Sequence, residues 1–215
     1  MSNLLIAFVV SAFAGLLCSP PLVGFLKRWR ALDVPNERSS HSVPVPVGGG
    51  IGILGPWCLG MGAFAVIGVF PSPGLPLSLL VGAAVLAGLG FVDDRRGLSP
   101  TPRLIVQALV AAACLKAGGL PVVAMELPGS APVPLGAWGW AAAWLFVVGF
   151  TNMFNFMDGI NGLAGIQALL GAGALAVWGA LSGDASLAVS MALLAGGTVG
   201  FLPQNFPRAR VFMGD

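Results

Sequence analysis

The chain has 215 residues, of which 57% are hydrophobic and only 8% charged, with a formal net charge of +2. Soluble domains carry about 25% charged residues, and eight acids and ten bases are too few to clothe a water-facing surface of this size. A water-soluble domain is therefore excluded, the near-neutral balance gives no footprint for nucleic acid, and the solvent for most of this surface is lipid.

The length predicts a single domain over residues 1–215. A helix needs about 20 apolar residues to cross a bilayer. Seven segments reach or approach that, at roughly 4–26, 48–70, 77–92, 104–118, 136–154, 163–182 and 186–203. The first begins in "MSNLLIAFVVSAFAGLLC", which lacks a basic leader and runs past the apolar length of a signal peptide, so a retained span is expected. The fourth is short. Pro20, Pro21 and Pro56 predict kinks. Cys18, Cys58 and Cys114 lie singly in apolar runs without metal-ligand spacing and read as small core residues.

The connections alternate in character. Those at 71–76, 119–135 and 182–186 are nearly uncharged, whereas 27–47, 93–103, 155–162 and 204–215 hold almost everything polar. Nine of the ten bases fall in the second set, with only Lys116 outside it. By the positive-inside rule these loops are cytoplasmic and the N-terminus is outside. The fold expected is an all-α integral membrane protein, a polytopic bundle of about seven transmembrane helices.

Four polar stretches end on that one face. The first, "DVPNERSSHSVPVPVGGG" (33–50), holds the lone histidine and three glycines opening a helix, where exposed amides favour anions. From this stretch alone the favoured reading is a proline-stiffened loop whose glycines allow close helix packing. In "DDRRGLSPTPR" (93–103), adjacent carboxylates repel unless a cation offsets them. Mg2+ takes one or two carboxylates together with substrate phosphates, and Arg95, Arg96 and Arg103 suit phosphate oxygens. The alternative is a solvated turn at a helix end.

In "NMFNFMDGINGLAG" (152–165), Asn152, Asn155, Asp158 and Asn161 recur every three residues. On a helical turn such residues share a face, so amides and a carboxylate converge on a ligand such as a base edge or sugar hydroxyls. Asp-Gly and Asn-Gly turn chemistry accounts for the same letters. The last stretch, "PQNFPRARVFMGD" (203–215), adds two arginines, an apolar step and Gly-Asp. Together these loops bring acids, amides and arginines to a membrane surface, as a phosphate-bearing substrate with a divalent metal requires. A transporter places its key polar groups nearer the midplane.

These pieces, and above all "GFVDDRRGLSPTPRLIVQ", "NMFNFMDGINGLAG" and "ARVFMGD", resemble the polyprenyl-phosphate N-acetylhexosamine-1-phosphate transferases. These bacterial integral membrane enzymes of glycosyltransferase family 4 start O-antigen, common-antigen and teichoic-acid synthesis. They share a superfamily with the phospho-N-acetylmuramoyl-pentapeptide transferase of peptidoglycan synthesis. The "RSSH" and "NFMDGING" wording looks closest to the branch that loads N-acetylated deoxyhexosamines.

The resemblance implies attack by polyprenyl (undecaprenyl) phosphate on the β-phosphorus of a UDP-N-acetylhexosamine, with UMP leaving. It implies Mg2+ as cofactor, with Mn2+ as a substitute, and a multi-pass protein of the bacterial cytoplasmic (inner) membrane, with a homodimer among the expected assemblies. It matches Asp93 and Asp94 to the adjacent aspartates of the family and Asp215 to a Mg2+ ligand. Asp158 and Asn155 match the nucleotide and metal site, which Asp94 is expected to share. Arg38 and His41 match the first cytoplasmic loop, and Asn161 stands where much of the superfamily has aspartate.

Arg103 and Asn152 complete the expected substrate contacts. We expect the aspartate pair to position the nucleophile and hold charge, because a phosphate monoester is already mostly dianionic near neutral pH. Family chains run well beyond 215 residues, so the sequence reads as an N-terminal part of a catalytic domain, incomplete at its C-terminus and inactive alone. Two readings compete: a transporter or lipid-phosphate-binding membrane protein without chemistry, and the peptidoglycan transferase itself.

Overall fold

The computed structural model describes residues 2–29, 31–35, 42–119, 124–125, 129 and 131–214. Three residues singled out in the sequence, Arg38, His41 and Asp215, lie outside the described residues.

The chain forms seven helices: α1 Ser2–Arg28, α2 Ile51–Val66, α3 Gly74–Arg96, α4 Pro100–Gly118, α5 Ala137–Phe156, α6 Leu163–Ser182 and α7 Ala185–Asn205. Each follows one of the apolar segments. Two antiparallel pairs of two-residue strands, Leu32–Asp33 with Val45–Pro46 and Ala124–Met125 with Val133–Pro134, are the only sheet among the described residues. Five helices are long and apolar enough to cross a membrane, and α2 is a shorter apolar helix of 16 residues. The protein is an all-α polytopic membrane protein.

Two helices run about one full turn past their apolar segments. α4 starts at Pro100, four residues ahead of the apolar run, because a first turn has no use for the amide hydrogens that Pro100 and Pro102 lack. Its 19 residues include Arg103, Gln107 and Lys116. α3 runs on through Asp93 and Asp94 to Arg96, where Gly97 caps it. The two aspartates are therefore held on helical backbone.

α7 is the axis of the bundle, packed against α1, α2 and α6, while α3, α4 and α5 pack side by side. Small residues set that centre. Gly196 and Gly200 of α7 lie so close to α1 that a Cβ on them would sit 2.3 Å from the Phe8 carbonyl and 2.4 Å from the Ala12 carbonyl. In lipid the hydrophobic effect does not drive helices together, so this close van der Waals approach carries the association. Ser11 adds a bond from its hydroxyl to the Leu193 carbonyl (2.6 Å), and the Trp57 indole donates to Ser190 (3.1 Å). Such bonds contribute about 0.6 kcal/mol each in membranes. Around α7, Trp57, Met61, Phe64 and Leu193 fill one end of the core, and Val23, Leu26, Phe201 and Val211 the other. The outer faces carry Leu5, Val9, Phe13, Leu145 and Trp178, exposed as lipid-facing residues should be.

The cysteines depart from the core reading. Cys18 is exposed on α1, on the outer side with Leu16 and Leu17, and Cys58 and Cys114 are half-buried. An apolar run that faces lipid all along one side gives a small residue no reason to turn inward. Cys114 donates to the Ser78 carbonyl of α3 at 3.2 Å.

Candidate active site

The four polar stretches meet at one end of the bundle, where α1, α3, α5 and α7 finish and α2, α4 and α6 begin. Arg95 ties the α3 end to the α1 end, lying over the rings of Phe91 (4.6 Å) and Trp29 (5.6 Å).

Consecutive helical residues point about 100° apart, so the two aspartates of α3 face different neighbours. Asp93 is 7% exposed. Its carboxylate pairs with Arg103 at 2.5 Å and accepts the Leu98 amide hydrogen at 2.7 Å. It thus clamps the turn between α3 and α4. Asp94 is exposed and reaches the other way: a Cβ on Gly214 would sit 2.5 Å from Asp94 Oδ2 and 2.9 Å from the Gly48 nitrogen. Gly214 has φ +80, a backbone angle costly for other residues, and no side chain fits between it and the carboxylate. Asp94 therefore meets the last described residue of "FMGD" and the start of the glycine run.

That last segment is fastened to the first polar stretch by backbone bonds. Phe212 donates to the Pro46 carbonyl (2.8 Å), Gly49 to Phe212 (2.9 Å) and Gly50 to Met213 (2.8 Å). The Gly49 and Gly50 amides are thus taken by the protein's own carbonyls, as the close-packing reading requires. A Cβ on Gly49 would lie 2.7 Å from Phe201 and 2.8 Å from the Phe212 carbonyl.

The asparagine series divides. α5 ends at Phe156, so only Asn152 and Asn155 share a helical face, and Asp158 and Asn161 belong to the turn that follows. Asn152 directs its Nδ2 to Gln107 Oε1 on α4 and to the Val148 carbonyl, both at 2.8 Å, and so joins two helices. Asn155 and Asp158 are half-buried at the α5 end, with the Asp158 amide on the Asn155 carbonyl (3.2 Å). Asn161 makes a long contact of 3.4 Å to the Pro207 carbonyl.

Two residues that organise this end were not singled out in the sequence. Asn205, 2% exposed at the end of α7, accepts the Gly162 amide hydrogen on Oδ1 (2.8 Å) and donates through Nδ2 to the Val211 carbonyl (3.0 Å). It fastens the Asp-Gly turn to the segment leading into "FMGD". Gly162, at φ +78 under the Phe206 ring, leaves room for that contact. Gln107, 8% exposed, receives Asn152. Gln107 is a lone amide inside an apolar helix, and that cost in lipid was the available signal.

The rim is basic, with Lys27, Arg28, Arg96, Arg208 and Arg210 all exposed. Among the described residues no three Asp, Glu, His or Cys side chains converge on one point. The carboxylate of Asp94 lies against the residue preceding Asp215. Asp94, Asn155 and Asp158 offer the hard oxygen atoms that a small divalent cation prefers.

Fold and site define a multi-pass, all-α membrane protein that gathers acidic, amide and basic groups at one end of its bundle. Residues 76–215 match glycosyl transferase family 4, and the chain belongs to that family. It is similar to the decaprenyl-phosphate N-acetylglucosaminephosphotransferase of Mycobacterium leprae, at 34% identity covering 90% of this chain and 52% of the relative. The Bacillus subtilis protein named "Probable undecaprenyl-phosphate N-acetylglucosaminyl 1-phosphate transferase" is 31% identical over 100% of this chain and 59% of its own. The phospho-N-acetylmuramoyl-pentapeptide-transferase of Moorella thermoacetica is 31% identical, over 96% and 69%. The chain spans about half the length of the first two.

Proposed function

We propose that the protein to which this chain belongs transfers N-acetylhexosamine 1-phosphate from a UDP-sugar to polyprenyl phosphate in the bacterial cytoplasmic membrane, releasing UMP. The contact between Asp94 and Gly214 carries this reading, because it brings two distant polar stretches to one point in a member of a transferase family. Relatives named for polyprenyl-phosphate sugar-phosphate transfer support it.

Asp94, Asn155, Asp158 and Asp215 would hold Mg2+. Bound there, the ion supplies neutralisation of charge on the diphosphate and the departing nucleotide. Asp93 acts by position: clamped to Arg103 and Leu98, it fixes the α3 end from which Asp94 projects. No residue need deprotonate the lipid phosphate, whose second pKa is about 6. Exposed Arg96, Arg208 and Arg210 draw anionic substrates to the rim, and Arg38 and His41 are proposed to meet the sugar nucleotide. Site and lipid phosphate meet at the cytoplasmic interface, where a membrane-held acceptor and a water-borne donor both reach.

The test is transfer of label from UDP-[14C]N-acetylglucosamine into butanol-extractable lipid by the full-length protein with undecaprenyl phosphate. The reading requires labelled lipid that disappears with EDTA and returns with Mg2+ or Mn2+. A second reading, use of UDP-N-acetylmuramoyl-pentapeptide, is favoured by the Moorella relative. Labelling from that donor in place of the N-acetylhexosamine would select it, and no labelling from either would sink both.

A further inference from the structure

An open groove of about 480 Å3 lies between α4 and α5, towards the end of the bundle opposite the aspartates. Ala112, Leu115, Lys116, Trp140, Ala141 and Trp144 line it. Its size falls within the roughly 300–1,000 Å3 of small-ligand sites. The indole nitrogen of Trp144 donates to the Ala108 carbonyl at 2.8 Å, so the ring is fixed as an apolar wall with its one polar group already used. Among the described residues that line it, the only charged group is Lys116, in the last turn of α4. In the sequence it is also the one base of the ten outside the four polar stretches, and it has no ion pair among the described residues.

An apolar slot on a membrane protein fills with hydrocarbon, and any chain satisfies it. The choice between lipids then falls to the cation at its edge. Zwitterionic lipids carry an ammonium or choline group that competes for their own phosphate, whereas an anionic headgroup leaves a net charge for Lys116. Exposed Trp138 and Trp140 at the start of α5 mark the depth at which headgroups lie. We propose that this groove is a binding site for an anionic phospholipid, one acyl chain between Trp140 and Trp144 and the phosphate on the Lys116 ammonium. The proposal is independent of the transferase reading.

The experiment is native mass spectrometry of the full-length protein released from nanodiscs of equimolar phosphatidylglycerol and phosphatidylcholine. A basic residue at an anionic surface corresponds to about a fivefold preference. We expect the wild type to retain phosphatidylglycerol over phosphatidylcholine by that factor. Lys116→Gln should hold one phosphatidylglycerol fewer per protein, Lys116→Arg should keep it, and Ala141→Phe, which fills the slot, should lose it. Equal retention of both lipids by the wild type, or phosphatidylglycerol retention unchanged in Lys116→Gln or in Ala141→Phe, would overturn the proposal.

Discussion

One residue step separates Asp93 from Asp94, and the helix turns that step into two environments. Asp93 holds a charged partner and a backbone amide inside the α3–α4 turn. Arg103 is partly exposed, so solvent screens the pair, and Asp93→Ala should destabilise the protein by about 2 kcal/mol, close to one charged hydrogen bond. Asp93→Asn should cost less, because the amide oxygen still accepts from Leu98. Thermal unfolding in detergent checks the order. Asp94→Asn should lower transferase activity about 100-fold, the scale of removing one electrostatic contact to a transition state. Asn205 has the converse signature. Asn205→Ala strands the Gly162 amide hydrogen and the Val211 carbonyl, at about 1–3 kcal/mol, and Asn205→Asp should cost at least as much, because its buried carboxylate accepts from Gly162 but opposes the Val211 carbonyl. The aspartate pair was legible in the sequence because charge is rare there. The roles of Asn205 and Gln107 were not, because the Gly162 and Asn152 groups they hold lie 43 and 45 residues away.

Among elements, the α1–α7 crossing is the contact most sensitive to a single methyl group. A Cβ on Gly200 would sit 2.5 Å from the Leu16 nitrogen and 2.7 Å from the Gly15 carbonyl carbon, all backbone that moves only with the helix. Gly200→Ala should therefore destabilise by about 1–3 kcal/mol. Gly173→Ala on α6 meets nothing within 4 Å, and should be neutral or stabilising by up to about 1 kcal/mol. Paired unfolding curves of the two variants test the crossing, and equal stabilities would contradict it. All seven helices follow apolar segments of the sequence, and five of them have the length and apolarity that lipid dictates. Their arrangement around α7 could not, because helices apolar all round carry no stripe to say which side faces a neighbour. The extra turn of α4 was missed for another reason: Pro100 and Pro102 look like breakers, yet both fit a first turn.

For the molecule as a whole, alternating helices bring the polar stretches to one end, and the base count predicts that this end is cytoplasmic. In a variant without native cysteines, Ser42→Cys should resist a membrane-impermeant maleimide added outside intact cells, and Ser182→Cys should react. The reverse pattern would invert the topology. The polar stretches announced a site from sequence alone; that Asp94, and not Asp93, is the aspartate against "FMGD" needed the register of α3 against the backbone of 46–50 and 211–214. The central claim is that this meeting point performs phosphoryl transfer, and its most direct test is UMP release from UDP-N-acetylglucosamine by the full-length protein. The account predicts release that requires both undecaprenyl phosphate and Mg2+ and is nearly abolished in Asp94→Asn. Release at the wild-type rate in Asp94→Asn, or none from the wild type with both present, would contradict it.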